Sequence, residues 1–171
     1  APTNTNEYNA AIQSAVDAPA CATIKLPAGT IRENVTIRRS LTVRGAGPER
    51  TTVDASGKNS PVFAINSPPG VRQACDPPVF SVTLAGMTMT GGTGPGDTFV
   101  QRNGGAVSAS PGVKLTVENS IVTGNSAYGN GGGISLVMGR LTVVDSVITR
   151  NTAFANPPPN PPDPNYIGGG G

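Results

Sequence analysis

The acidic residues are the first candidates for chemistry, because paired carboxylates serve general acid–base catalysis and bind cations. The chain has ten of them and no histidine. Only Glu118 and Asp145 come near each other when the similar segments around them are aligned, as offset neighbours at one bend. They predict either an acid pair with a weak Ca²⁺ site or two solvated bend residues. A hard cation such as Ca²⁺ binds six or more oxygen ligands, so two solvated bend residues are the favoured interpretation. We predict no catalytic residue, metal or cofactor.

Arginines cluster in the stretch RENVTIRRSLTVR, where Arg38, Arg39 and Arg44 form a candidate basic surface. Such a surface would suit an anionic polysaccharide. The alternative is that these side chains cover strand edges and keep the protein soluble. The net charge is only +2, too small to indicate a partner by itself. Together with 4% aromatic residues, it argues against nucleic-acid binding.

The two cysteines, Cys21 and Cys75, lack a histidine partner, which excludes a Cys–His nucleophile. Their number predicts one disulfide formed in an oxidising compartment, with two unrelated buried thiols as the alternative. The chain opens on Ala1, as removal of a secretory signal would leave it, although recombinant production of a segment would do the same. We therefore expect a secreted or cell-surface protein. No apolar stretch is long enough to predict membrane insertion.

The elements that must position these residues are short strands. The chain has 23 Gly and 17 Pro, and its Val, Ile, Leu and Thr fall in alternating runs, which predicts an all-β protein with many turns. Four similar segments recur at unequal intervals: LTVRGAG at Leu41–Gly47, VTLAGMTMTGG at Val82–Gly92, LTVENSIVTGN at Leu115–Asn125 and LTVVDSVITRN at Leu141–Asn151. Unequal spacing of a constant motif indicates stacked structural repeats with loops of different length between them.

Stacking would place equivalent residues above one another, about 4.8 Å apart. The predicted inner columns are Leu41, Val82, Leu115 and Leu141; Val43, Leu84, Val117 and Val143; and Met89, Val122 and Ile148. A third strand of each coil is predicted in GGAVSAS and GGGISLV, with Val107 and Ile134 inward. Asn125 and Asn151 also coincide, which suggests an asparagine ladder or ordinary turns.

We predict a single domain over residues 1–171, with coils at 22–151. A short amphipathic helix at 6–18, with Tyr8, Ile12 and Val16 on one face, would cap the first coil. Residues 152–171 are predicted to be a Pro- and Gly-rich excursion followed by the start of an incomplete coil, because Gly168–Gly171 aligns with the glycines that precede the third strand. This open coil predicts end-to-end self-association or continuation into a longer solenoid.

The series ATIKLPAGTIRENVTIRRSLTVRGAG resembles the opening of right-handed parallel β-helix proteins of the pectate-lyase-like superfamily. The later NGGA and NGGG units resemble the repeats of bacterial surface and adhesin-like β-helix proteins such as polymorphic outer-membrane proteins. This resemblance implies a right-handed parallel β-helix, here of about six coils with an N-terminal capping helix. The superfamily includes lyases, hydrolases and adhesins, so the fold does not assign the activity.

The chain departs from the enzymes of that superfamily. It has no Trp, no histidine-containing Gly-His-Gly motif and no Arg-x-Pro-x-x-Arg stretch. We therefore expect a non-catalytic extracellular structural or adhesion module that contacts a polysaccharide or another cell-surface ligand. The alternative is a carbohydrate-active or anionic-glycan-binding β-helix. A further alternative is ice binding by the outward threonine columns, which ordinary strand preference also explains; those columns are Thr42, Thr83, Thr116 and Thr142, and Thr90, Thr123 and Thr149.

Overall fold

A computed structural model describes residues 11–18, 22–66, 80–94 and 103–154. The predicted alternating runs form short strands. In chain order these are β1 (Thr23–Lys25), β2 (Gly29–Ile31), β3 (Val35–Ile37), β4 (Leu41–Arg44), β5 (Thr51–Asp54), β6 (Phe63–Ile65), β7 (Phe80–Ala85), β8 (Thr88–Thr90), β9 (Thr93–Gly94), β10 (Val107–Ala109), β11 (Val113–Glu118), β12 (Ile121–Thr123), β13 (Ser126–Ala127), β14 (Ile134–Leu136), β15 (Arg140–Val144), β16 (Val147–Thr149) and β17 (Thr152–Ala153). They follow one helix, α1 (Ala11–Asp17).

The strands form four sheets, and all the strand pairs described are parallel. Sheet A has the order β1-β4-β7-β11-β15, sheet B β16-β12-β8-β5-β2, sheet C β14-β10-β6-β3, and the short sheet D β17-β13-β9. Consecutive strands of the chain belong to different sheets, and each strand lies beside one from the preceding turn of the chain. The protein is therefore an all-β parallel solenoid whose core lies between the sheets.

Inner columns of aliphatic side chains run along the stack. In sheet A, Leu41 lies opposite Val82, then Leu115 and Leu141, and the next inner column places Val43, Leu84, Val117 and Val143 in line. In sheet B, Met89 lies between Val53 and Val122, and Ile148 follows Val122. In sheet C, Val107 pairs with both Phe63 and Ile134. Apart from the last strands, these positions are almost fully buried, which makes one continuous hydrophobic core.

The last described coil, formed by β15, β16 and β17 and called the terminal coil below, differs from the rest of the described stack. Leu141, Val143 and Ile148 keep the column register but are 43%, 41% and 46% exposed. Their alignment in the inner columns is as the repeat predicts, and only their exposure distinguishes them from the buried members of the same columns. They lie on β15 and β16, which end the order of sheets A and B, and a side chain of the stack is covered only when a coil lies on each side of it.

Polar ladders run beside the aliphatic columns. The Asn125 amide Nδ2 donates to Asn151 Oδ1 at 2.9 Å and to the carbonyl of Met89 at 3.1 Å, while its Oδ1 accepts from the amide of Gly92 at 3.0 Å. A second ladder was not foreseen: the Ser120 amide donates to Ser146 Oγ at 3.1 Å. In both ladders the side chains form hydrogen bonds with backbone groups at the bends, where the strand pairing is interrupted.

Helix α1 closes the first coil, and its Ile12 and Val16 side chains are each only 2% exposed. The described helix covers part of the predicted range 6–18, and Tyr8 lies outside the described residues. Gln13 substitutes for a neighbouring strand: its Oε1 accepts from the Thr36 amide at 2.7 Å and its Nε2 donates to the Thr36 carbonyl at 3.0 Å. These bonds satisfy both backbone groups of Thr36 on the edge of β3.

Candidate functional site

The predicted arginine cluster is divided by the fold. Arg38 lies at the bend between β3 and β4. The guanidinium of Arg39 donates to the carbonyls of Val16 and Ala18 at 2.9 and 2.7 Å, so it holds the carboxyl end of α1. Arg44 lies at the other end of β4, where the chain turns into the next sheet. The three residues therefore do not form one site.

Arg44 instead faces Glu118 across the small side chain of Ala85. Arg44 pairs with Ala85, and Ala85 pairs with Glu118, in adjacent strands of sheet A. The Arg44 Nη2 and Glu118 Oε2 atoms are 3.8 Å apart, and both side chains are close to half exposed. An ion pair this exposed stabilises the fold by less than about 1 kcal/mol.

The register gathers a different set of cations on the outward face of sheet A. Lys25 lies beside Arg44 near one end of the strands, and Lys114 lies beside Arg140 near the other. Sequence reasoning missed this grouping because the four residues are far apart in the chain. The signal that could have found it is the same alignment that predicted the inner columns, applied to the outward positions.

A column of threonines lies between these cations. It consists of Thr23, Thr42, Thr83, Thr116 and Thr142. In sheet B the outward positions beside Thr88 hold Ile121 and Val147 instead, and the Thr88 hydroxyl donates to the carbonyl of Pro48 at 2.6 Å. Charged rows flank the first column, and the predicted second column, in which Thr123 lies opposite Thr149, runs beside this partly apolar row. Ice binding by these columns stays a prediction.

The candidate acid pair lies at a bend. Glu118 is opposite Val144, and the amide of the following Asn119 donates to the Val144 carbonyl at 2.9 Å, so Asp145 adjoins Asn119 rather than Glu118. Asn119 and Asp145 have φ values of 43° and 47°, a left-handed conformation that Asn and Asp adopt more readily than most residues. Among the described residues, no group of three or more His, Cys, Asp or Glu side chains is placed to hold a metal ion.

The terminal coil is the most unusual surface of the described structure. Its exposed large apolar side chains are Met138, Leu141, Val143, Val144, Val147, Ile148 and Phe154, with Tyr128 beside Phe154. Sheet C has four described strands, against five in sheets A and B. A cavity of about 340 Å³, lined by Gly131–Gly133, Ile134, Leu141 and Ile148 among others, lies beside β14 at the free edge of sheet C.

Both cysteines of the predicted disulfide, Cys21 and Cys75, lie outside the described residues, as do Gly168–Gly171. The pairing of the two cysteines therefore stays a prediction. The helix α1 is far too short to cross a membrane, and the described part of the chain has no other helix. Comparison of the chain with family models, curated proteins and solved structures gave no match in any of the three.

Proposed function

We propose that the chain is a non-catalytic structural or adhesion module of the right-handed, pectate-lyase-like β-helix type, with about six coils, secreted or held at a cell surface. The observation that carries this proposal is the unbroken register of sheet A. Five strands, from β1 to β15, pair without an offset, so the inner columns continue through the whole described stack.

An unbroken register has a mechanical consequence. Each coil buries its inner side chains only against its neighbours, so the coils form a stiff stack with outward faces of fixed geometry. Bends between strands can change in length without disturbing the columns, and partner contacts in such proteins depend on those loops. The sequence resemblance to adhesin-like surface repeats supports the same function.

The test is incubation with polygalacturonate, with and without Ca²⁺, followed by ultraviolet detection of unsaturated products. We expect no turnover under either condition. The matched control is a known pectate lyase under the same conditions. Calcium-dependent product formation would overturn the proposal in favour of a carbohydrate-active enzyme.

A second candidate, binding of an acidic polysaccharide without cleavage, is favoured by the cations on sheet A. Lys25, Arg44, Lys114 and Arg140 flank the threonine column, and Glu118 is the acidic residue among those strands. Carboxylates along a glycan would meet these rows, with an affinity that falls as salt rises. Under this function, Lys114→Glu with Arg140→Glu abolishes retention on a polygalacturonate column, whereas Arg38→Glu, at a different bend, leaves it nearly unchanged. Equal loss in both variants would contradict it.

A further inference from the structure

We propose that the terminal coil is a dimerisation surface, and that its occupant is the terminal coil of a second copy of this chain in antiparallel orientation. This inference concerns assembly and goes beyond the proposed function, which does not depend on it. It begins from β15, which is the outermost strand of sheet A among the described residues. A strand at the end of a sheet presents unpaired amide and carbonyl groups, and natural proteins usually protect such edges with charges, proline or bulges.

The middle of β15 lacks that protection. Between Arg140 and Asp145 the strand holds Leu141, Thr142, Val143 and Val144, with the two inner side chains, Leu141 and Val143, exposed by 43% and 41%. The next strand, β16, adds Val147 and Ile148, exposed by 55% and 46%. The inner side chains continue columns that are buried everywhere else in the stack, so they are suited to being covered by another layer of apolar residues.

The opposite end of the stack indicates which surface of a second copy can cover the terminal coil. Helix α1 covers the first coil and is fixed by Gln13, by Glu33 and by Arg39. A head-to-tail contact, in which the terminal coil of one copy meets the first coil of the next, would have to displace this helix. A contact between two terminal coils requires no such change. A two-fold axis would relate the two copies, so this contact gives a closed dimer and not a filament.

The sequence of β15 fits itself in the antiparallel direction. If the two-fold axis passes beside Thr142, Leu141 of each copy lies opposite Val143 of the other, on the same inner face. The same arrangement places Arg140 opposite Val144 of the second copy and next to its Asp145. Opposite charges therefore meet at both ends of the strand pair, and no like charges face each other along it. In-register parallel pairing of two β15 strands would instead place Arg140 of one copy beside Arg140 of the other, so like charges would face each other.

The first experiment is a cross-link at the proposed axis. In the antiparallel pair the two Thr142 Cα atoms would be about 4.5–5.5 Å apart, which is within the range of a disulfide. We expect Thr142→Cys to form a covalent dimer under mild oxidation, with mass spectrometry locating the link between the two substituted positions. The first control is Thr83→Cys, in the same outward column but two strands further in. The second is the parent protein, whose cysteines are Cys21 and Cys75. Neither control should form this link.

The second experiment is sedimentation velocity over a concentration series. We expect a monomer–dimer equilibrium for the parent and a dissociation constant raised about 100-fold or more for Val143→Lys, because each copy would place a lysine against Leu141 of the other. Thr83→Lys should leave the equilibrium unchanged. Circular dichroism checks that the variants fold, and the Thr142→Cys result tests the interface independently if Val143→Lys does not fold.

Three results would overturn the inference: a parent that stays monomeric throughout the series, a Thr142→Cys variant that links no faster than Thr83→Cys, or a parent that grows into filaments. The first two would indicate that another segment, such as residues after Phe154 or a different protein, covers the terminal coil. None of these results affects the proposed function, which only glycan turnover would overturn.

Discussion

At the scale of single residues, Glu33 is the charged side chain that the described structure buries, with 4% exposure. Its two oxygens accept from the amides of Ile12 and Gln13 at 3.3 and 2.9 Å, so it holds the first turn of α1 against the first coil. Burial raises the pKa of this carboxyl, although the two amide bonds and Lys58 act in the opposite direction. The carboxylate of Glu33 therefore loses hydration, and its hydrogen bonds to the helix amides offset part of that cost.

This pKa shift predicts a pH dependence of stability. A carboxyl with a raised pKa binds its proton more tightly in the folded state, so stability rises as the pH falls from neutral through the folded-state pKa. Glu33→Gln keeps an acceptor for one amide and removes the titration. In urea unfolding, we expect the stability of the parent relative to Glu33→Gln to increase as the pH falls from 7 toward 4.5, the ordinary pKa of a glutamate.

The control for this experiment is Glu49→Gln, which removes a negative charge from an exposed bend. Its stability relative to the parent should change less over the same interval. A parent that loses stability relative to Glu33→Gln as the pH falls would show that the amide and Lys58 interactions outweigh burial.

A second residue-scale prediction tests the register of β11. Val117 is fully buried, whereas its neighbour Thr116 points outward from sheet A and is partly exposed. We expect Val117→Asp to destabilise the protein by about 4 kcal/mol or more, since it places an unpaired charge inside the core. Thr116→Asp should cost about 1 kcal/mol at most. Equal melting temperatures of the two variants would contradict the assignment of inner and outward positions.

The inner residues could be predicted because the alternation of β-strands assigns each side chain to a face. The sequence could not predict which polar side chains form specific hydrogen bonds. Arg38 and Arg39 are adjacent and alike in the sequence, yet it is Arg39 that reaches the carbonyls at the end of α1. That contact depends on how a distant helix sits on the coil, which no local pattern contains.

At the scale of elements, α1 acts through Gln13 as well as through its apolar face. The paired amide bonds to Thr36 satisfy both backbone groups of one residue on the edge of β3. We expect Gln13→Ala to destabilise the protein by about 1–3 kcal/mol, because these half-buried groups lose their partners. Ser14→Ala, on the exposed side of the same helix, should stay within about 0.5 kcal/mol of the parent in urea unfolding.

The sequence predicted these elements unequally well. The strands and their register follow from the repeated LTV segments, because stacking requires equivalent residues to align. The sequence located the bends but did not predict their backbone conformation. Gly86, Asn119 and Asp145 occupy equivalent positions after the strands of sheet A, with φ values of 65°, 43° and 47°. The serine ladder beside them was missed because serine is common at any turn, and only the three-dimensional stack brings Ser120 and Ser146 together.

At the scale of the whole molecule, the two ends of the stack are unequal. One is closed by α1, which buries Ile12 and Val16 and bonds the backbone of Thr36, and the other exposes its inner columns on β15 and β16. In a stack, each coil is stabilised mainly by its neighbours, so a coil with one neighbour should open more easily than a coil with two. Stability should therefore fall from the capped end toward the terminal coil.

Amide hydrogen exchange measures this gradient directly. In dilute protein we expect peptides covering 140–154 to exchange fastest among the strands and peptides covering 51–65, which lie between coils on both sides, to exchange slowest. Raising the protein concentration should slow exchange in β15 of the parent but not in Val143→Lys, because only the parent covers that edge. Uniform exchange along the stack at every concentration would mean that the solenoid opens as one cooperative unit, and that its terminal coil is already as stable as its centre.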